Sequence, residues 1–253
     1  MIPIQILRVL STIRQFDVPA LLLGGQACVL YGAAEYSRDL DLAVLATESA
    51  LPRLAAAMQA LGATVIAVPP FEIDYLQRGH AVHFSVPEVG AQPLRVDIMS
   101  RMRGVAPFNA LWSRRTTISL PDASALAELE VELMSLEDLV SAKKTQRDKD
   151  WPMLRRLVDA SYDSARDHAA TTAQMEFWLS ELRSPEFLSD AVYRFPDRAA
   201  MSFRAAVVAA RAHGDIAGAL AAEQTAEMLS DREYWEPLRR ELEALRFAAR
   251  RVP

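Results

Sequence analysis

The chain carries the stretch Leu21-Leu22-Leu23-Gly24-Gly25 and, fourteen residues after Gly25, the stretch Asp39-Leu40-Asp41-Leu42. The second stretch places two carboxylates two residues apart in an apolar run. Side chains at this spacing share one face of a strand and lie about 6.6 Å apart along it. Because like charges repel, such a pair predicts that divalent cations bind there. The alternative is a solvated strand edge that carries both carboxylates without a ligand.

The Gly-Gly pair follows a predicted buried strand over Ala20–Leu23 and precedes a predicted helix over Gln26–Tyr31. A glycine turn that opens a helix directs unpaired backbone N–H groups outward, and the helix dipole adds partial positive charge. Most Gly-Gly pairs are simple turns. Next to a strand with two carboxylates, this one predicts a site for a triphosphate and its cations.

A third carboxylate, Asp97, lies in a predicted strand over Leu94–Met99, on the face opposite Val96 and Ile98. If this strand pairs with the strand of Asp41, three carboxylates converge. Such a trio is able to hold two metal ions ~3.5–4 Å apart, with Asp97 also accepting the proton of an incoming hydroxyl. The alternative places Asp97 on a half-exposed strand without a role.

The composition narrows the class of protein. The chain has 253 residues, a net charge of −5 and 51% hydrophobic residues, enough for a large packed core. An acidic average surface does not favour nucleic-acid binding except through a local basic patch. Cys28 is the single cysteine, which excludes an intrachain disulfide and fits a reducing compartment. With no long apolar run and no signal-peptide pattern, we expect a cytoplasmic protein without a membrane partner.

Helical and extended patterns divide the chain into two parts. The first contains helices and several short strands, and further extended runs are predicted at Thr64–Val68 and Ala81–Val86. From Ser135 onward the pattern is helical, beginning with a capping-box-like Ser135–Asp138 segment. We therefore predict an α+β fold, with a core of mixed β-sheet and helices over residues 1–134 and a helical bundle domain over residues 135–253.

The spacing of Gly24-Gly25, Ser37-Arg38-Asp39-Leu40-Asp41 and Val96-Asp97-Ile98 resembles that of the DNA polymerase β-like nucleotidyltransferase superfamily. Together with the Ser135–Asp150 region, it is similar to the small bacterial AbiEii-like group, which includes toxins of toxin–antitoxin pairs. The resemblance covers roughly residues 18 to 155. It implies a nucleotidyltransferase core and pyrophosphate-releasing transfer of NMP from an NTP to an acceptor hydroxyl.

The resemblance also implies roles for individual residues. The catalytic and metal-binding trio is Asp39, Asp41 and Asp97, with two magnesium ions expected. The nucleotide-binding residues are Gly24, Gly25, Ser37, Arg38 and Lys143. Many relatives carry Ser where this chain has Gly25, so one hydroxyl contact to phosphate is absent at that position.

The sequence leaves the acceptor open. A tRNA, a small molecule and a protein side chain are all compatible with an NTP donor, and an antitoxin is a further expected partner if the chain is a toxin. Arg101 and Arg103 follow the Asp97 strand and are either scattered surface charge or a site for a phosphate-bearing acceptor. A non-catalytic module that binds nucleotide or protein through the same cleft is the alternative to an enzyme.

Overall fold

The computed structural model describes residues 2–34, 36–88, 92–121 and 128–250. Its helices are α1 (Ile4–Gln15), α2 (Gly24–Leu30), α3 (Leu51–Ala60), α4 (Ile73–Arg78), α5 (Phe108–Arg114), α6 (Leu136–Ala142), α7 (Asp150–Ser164), α8 (Thr172–Glu181), α9 (Pro185–Arg194), α10 (Pro196–Met201), α11 (Ala205–Arg211) and α12 (Ile216–Ala249). Its strands are β1 (Ala20–Leu23), β2 (Leu40–Val44), β3 (Thr64–Val65), β4 (Val82–Val86), β5 (Leu94–Met99), β6 (Thr116–Pro121) and β7 (Glu128–Leu133).

These elements form two compact units. The first comprises Met1–Leu30, Ala34–Ala142 and Trp235–Pro253, and the second comprises Tyr31–Ala33 and Lys143–Tyr234. The boundaries between these units differ from the predicted domain boundary between residues 134 and 135. The assignment of two domains stays a prediction. Among the described residues, no helix combines the length and the hydropathy that a membrane crossing requires.

The first unit contains one seven-stranded mixed sheet with the order β3-β4-β5-β2-β1-β7-β6. Strand β2 pairs with β5 in parallel and with β1 in antiparallel orientation. The adjacent central strands β1, β2 and β5 therefore carry the Gly-Gly turn and the predicted carboxylates. A mixed sheet with flanking helices confirms the predicted α+β fold.

The burial pattern of the central strands explains which side chains face the site. In β5 the apolar Leu94, Val96 and Ile98 are buried, and the residues between them are half-buried or exposed. In β2 the flanking Leu40 and Leu42 are buried, whereas Asp41 is half-buried. Because side chains alternate between the faces of a sheet, the apolar residues pack in the core and the carboxylates lie on the other face.

Local signals placed several elements correctly. Strands β1 and β5 have the predicted bounds, whereas β3 is shorter than the predicted Thr64–Val68. The predicted cap before α6 is confirmed, because Ser135 Oγ accepts a hydrogen bond from the Asp138 amide at 3.2 Å. The elements α4, α5, β6 and β7 were not predicted from the sequence. From residue 150 to residue 250 the structure has the six helices α7–α12.

The last part of α12 is fixed to the first unit by a charged cluster. His80 has a fully buried side chain, and its Nε2 lies 2.7 Å from Glu241 Oε2. Arg78 Nη2 pairs with Glu241 Oε1 at 2.7 Å. The hydrogen bond from His80 opposes the cost of burial and lowers the pKa of Glu241 below its ordinary value. Glu241 is therefore a point at which the C-terminal residues are attached to the unit that contains the sheet.

We expect Glu241→Gln to lower the free energy of unfolding at pH 7 by about 1 kcal/mol, because a partly exposed pair is screened by water. Since folding lowers the pKa of Glu241, its stabilising effect is present above about pH 4.5 and is lost as the pH falls through the lowered value. Urea unfolding at pH 7 and pH 3 measures both effects. The control is Glu243→Gln, an exposed carboxylate on the same helix. An equal loss at both pH values would contradict the assignment.

Candidate functional site

Two of the three predicted carboxylates lie side by side. The parallel pairing of β2 with β5 aligns Asp41 with Asp97. On its other side, Asp41 pairs with Leu23 of β1. Neighbouring strands lie about 4.8 Å apart, so the two carboxylates project from adjacent positions on one face. Both are half-buried. The register therefore brings together Asp41, the second carboxylate of the Asp-x-Asp pair, and Asp97, the later aspartate of the motif.

The Gly-Gly turn touches Asp41 directly. Gly24 has φ +67°, and a Cβ added there would lie 1.9 Å from Asp41 Oδ2. Any side chain at residue 24 therefore overlaps the carboxylate, and the backbone angle also disfavours L side chains. Glycine is required at this position so that the turn and the carboxylate occupy adjoining space.

Ser37 lies against the second glycine of the turn. A Cβ on Gly25 would lie 2.2 Å from Ser37 Oγ. The buried Gln26 holds this loop by donating a hydrogen bond from Nε2 to the Ser37 carbonyl at 2.8 Å. A serine hydroxyl is therefore present beside the turn, although the sequence has glycine at residue 25.

Asp39 and Arg38 are exposed and immediately precede β2. They follow Ser37 in the sequence and lie just before the N-terminal end of β2, the strand that contains Asp41. Among the described residues, no three carboxylate, histidine or cysteine side chains are arranged as a metal site. The three-carboxylate metal centre therefore stays a prediction, as do the phosphate-binding roles of Ser37 and Arg38.

Asp97 is held by two residues that the sequence analysis did not assign to the site. Arg95 Nε donates to Asp97 Oδ1 at 2.8 Å, and Arg95 Nη2 donates to Oδ2 at 3.1 Å. His83 Nδ1 also lies 2.8 Å from Asp97 Oδ1. Burial raises the pKa of Asp97, but the hydrogen bonds from His83 and Arg95 outweigh it and lower the pKa below the ordinary value. Asp97 is therefore an ionised carboxylate with both oxygens engaged.

Only one of these two residues has a local sequence signal. Arg95 lies two residues before Asp97 and hence on the same face of β5. His83 pairs with Asp97 in the antiparallel register between β4 and β5. Finding His83 required the order of the strands in the sheet, whereas Arg95 required only the alternation along β5.

The donor chemistry fits one divalent cation better than two. Magnesium prefers oxygen ligands, and Asp41 offers carboxylate oxygens beside the glycine turn, with the exposed Asp39 two residues earlier. The aspartate on β5 differs, because Asp97 already binds a guanidinium and an imidazole. A second cation at Asp97 is left with one lone-pair direction, on Oδ2, where it lies beside the Arg95 guanidinium.

Lys143 belongs to the second unit and has a partner there. Its Nζ lies 3.3 Å from Asp150 Oδ1, and both side chains are at least nine-tenths buried. Asp150 Oδ2 accepts hydrogen bonds from Thr145 Oγ1 at 2.6 Å and Arg147 Nε at 2.8 Å. The attraction of Lys143, with these hydrogen bonds, outweighs desolvation by burial and lowers the pKa of Asp150. The nucleotide-binding role of Lys143 stays a prediction.

We expect Asp150→Asn to destabilise the fold by about 3 kcal/mol, because it leaves the buried Lys143 ammonium without its counter-charge. Urea unfolding at pH 7 measures the loss, and Asp148→Asn, an exposed carboxylate two residues earlier, is the matched control. If Asp150→Asn is as stable as the control, the pair has no structural role. Weaker NTP binding by a stable Lys143→Met variant would then support the nucleotide role.

No known protein-family model matches the chain, and no curated protein matches it. Solved structures that resemble it include proteins of the nucleotidyltransferase class. One is an antigenic nucleotidyltransferase-like protein from Paracoccidioides brasiliensis, with 11% identity, a TM-score of 0.43 and coverage of 77% of this chain and 88% of that one.

Two others are structures of the antibiotic-resistance factor ANT(2'')-Ia. The solution structure has 14% identity and a TM-score of 0.34, and covers 78% of this chain and 91% of that one. The crystal structure in complex with adenylyl-2''-tobramycin has 15% identity and a TM-score of 0.32, with 76% and 94% covered. Since all these TM-scores lie below 0.5, the likenesses carry no weight for function, which depends on the residues of this chain.

Proposed function

We propose that the chain is a nucleotidyltransferase that transfers NMP from an NTP to an acceptor hydroxyl and releases pyrophosphate. The observation that carries the proposal is the contact between the Gly24 turn and Asp41, which itself aligns with Asp97 on the next strand. This arrangement supports the proposal, because a bound NTP requires backbone N–H groups for its phosphates beside carboxylates for its cations.

Each part of the site has a separate task in this proposal. The backbone at Gly24 and Gly25 and the hydroxyl of Ser37 bind the triphosphate, and Arg38 extends this surface. Asp39 and Asp41 hold divalent metal, which neutralises phosphate charge and activates the α-phosphate toward attack when it is bound. Asp97 orients the acceptor hydroxyl and accepts its proton, which then passes to solvent.

The bond changes balance without a further reagent. The acceptor oxygen attacks the α-phosphorus, and the bond from that phosphorus to the oxygen bridging to the β-phosphate breaks. The acceptor proton is lost, and pyrophosphate leaves with the bridging oxygen. Most of the rate enhancement then comes from positioning and from neutralising charge.

One observation favours a second candidate function. Both oxygens of Asp97 are bound by Arg95 and His83, which is the arrangement expected if Asp97 is a structural carboxylate. The chain would then bind nucleotide or protein through the same site without catalysing transfer.

The finer predictions rest on the motif resemblance alone. These are membership of the AbiEii-like group, a toxin activity with an antitoxin partner, a tRNA acceptor and a dependence on magnesium. A small molecule and a protein side chain are equally compatible acceptors, because each presents a hydroxyl.

Incubation with each α-labelled NTP, magnesium and a fractionated cell extract tests the proposal. Label is expected in one fraction, together with pyrophosphate in equal amount. If every NTP leaves all fractions unlabelled while calorimetry shows that NTP binds, the non-catalytic function is correct instead.

A further inference from the structure

Building on the proposed function, we infer that the site holds one divalent cation, and that Arg95, clamped by Asp97, supplies the second positive charge for the triphosphate. Arg95 thus becomes a substrate-binding residue, and Asp97 positions it in addition to its proposed role at the acceptor hydroxyl. The usual expectation for the motif, which is two metal ions sharing the Asp trio, is replaced by one metal ion and one guanidinium.

The contacts of Asp97 oppose metal binding on β5. Oδ1 accepts from Arg95 Nε and meets His83 Nδ1, which uses both lone-pair directions of that oxygen. Oδ2 accepts from Arg95 Nη2. A divalent ion on the remaining direction of Oδ2 stands beside a guanidinium, where like charges repel. The carboxylate therefore satisfies one cation, and that cation is already part of the chain.

The guanidinium keeps a free face for phosphate. Its side chain is 46% exposed, and within the described part of the chain its Nη1 has no hydrogen-bond partner. A guanidinium presents its N–H groups in a planar fork that matches two phosphate oxygens. With Nε and Nη2 fixed on Asp97, the Nη1 edge is held in one orientation at little further entropic cost.

Electrostatics place this charge near the other two carboxylates. The hydrogen bond to Asp97 raises the pKa of Arg95 above its ordinary value, against the opposing effect of burial. The charges of Asp39 and Asp41 raise it further. The register that aligns Asp41 with Asp97 also places Arg95, two residues before Asp97, on the same face of the sheet as Asp41.

The test counts bound metal without measuring turnover. Mn²⁺ is titrated into the full-length chain, and the free ion is measured by electron paramagnetic resonance. The wild type is expected to bind one Mn²⁺. Arg95→Gln frees Asp97 and is expected to bind two. Asp97→Asn is expected to stay at one, because Asp97 is not a ligand in the wild type. Arg101→Gln, an exposed arginine of the same unit, is the control and stays at one.

ATP binding in EDTA provides a second measurement. Arg95→Gln is expected to weaken ATP about tenfold without metal, whereas Arg95→Lys, which keeps the charge but not the fork, loses less. Thermal melts establish that each variant folds. If Arg95→Gln does not fold, Asp97→Asn and Arg95→Lys still distinguish the outcomes.

The outcomes separate this inference from the proposed function. Two Mn²⁺ ions in the wild type and one in Asp97→Asn would overturn the inference and leave the nucleotidyltransferase proposal standing. Unchanged ATP affinity in Arg95→Gln would also overturn it. No Mn²⁺ in any variant, together with no ATP binding, would overturn both.

Discussion

Asp41→Asn is expected to reduce nucleotidyl transfer by at least about 1,000-fold, which corresponds to about 4 kcal/mol of transition-state stabilisation. Asp41 lies between the Gly24 turn and Asp97, so its charge is central to any cation that bridges turn and carboxylates. Asn keeps the shape of the side chain but removes the charge. We expect the fold to be retained, with stability unchanged or slightly higher, because one of two adjacent like charges is lost.

Initial rates of pyrophosphate release, with the labelled acceptor fraction as substrate, measure the effect. Glu48→Gln is the matched control, because it removes an exposed carboxylate from the same unit. Circular dichroism and a thermal melt verify folding of both variants. Turnover within tenfold of the wild type in folded Asp41→Asn would exclude the assigned role.

Gly24→Ala is expected to cause the second large effect. The substitution adds a methyl group whose ideal position lies 1.9 Å from Asp41 Oδ2. The backbone at this residue has φ +67°. The backbone angle costs about 1–2 kcal/mol, and the overlap costs a further ~1–3 kcal/mol or displaces the carboxylate. Because a shift of about 1 Å at a reacting centre lowers rates roughly 100-fold, transfer is expected to fall by at least that factor.

Gly104→Ala separates the two causes. Gly104 has φ +68°, but a Cβ added there meets nothing within 4 Å. Gly104→Ala is therefore destabilised only by the backbone angle, and it is expected to keep full transfer activity. Urea unfolding and initial rates are measured for both variants. Equal losses of stability in the two, with activity retained in Gly24→Ala, would show that the contact with Asp41 has no importance.

The sequence was sufficient to predict the centre of the sheet. Strand β1 is a short apolar run that ends at two glycines, and β5 alternates apolar residues with Arg95 and Asp97. Both signals are local, so they survive without knowledge of the fold. The alignment of Asp41 with Asp97 needed one further assumption, taken from the motif, that β2 and β5 are neighbouring strands.

Long-range contacts were beyond such reasoning. The pairing of His83 with Asp97 depends on β4 lying next to β5, and the contact of His80 with Glu241 joins positions 161 residues apart. Strand β7 was missed although Glu128–Leu133 alternates charged and apolar residues. Its three glutamates alternate with the buried Leu129, Val131 and Leu133, which form its core-facing side.

The contact between Ser37 and Gly25 has a consequence for sequence change. The Ser37 hydroxyl fills the volume that a side chain at residue 25 needs, so the two positions share space for one small polar group. A serine introduced at residue 25 displaces the Ser37 hydroxyl. Replacement of Ser37 by a smaller residue leaves space for a serine at residue 25. Among homologues these two positions are therefore expected to co-vary, with the hydroxyl moving between loop and helix rather than appearing twice.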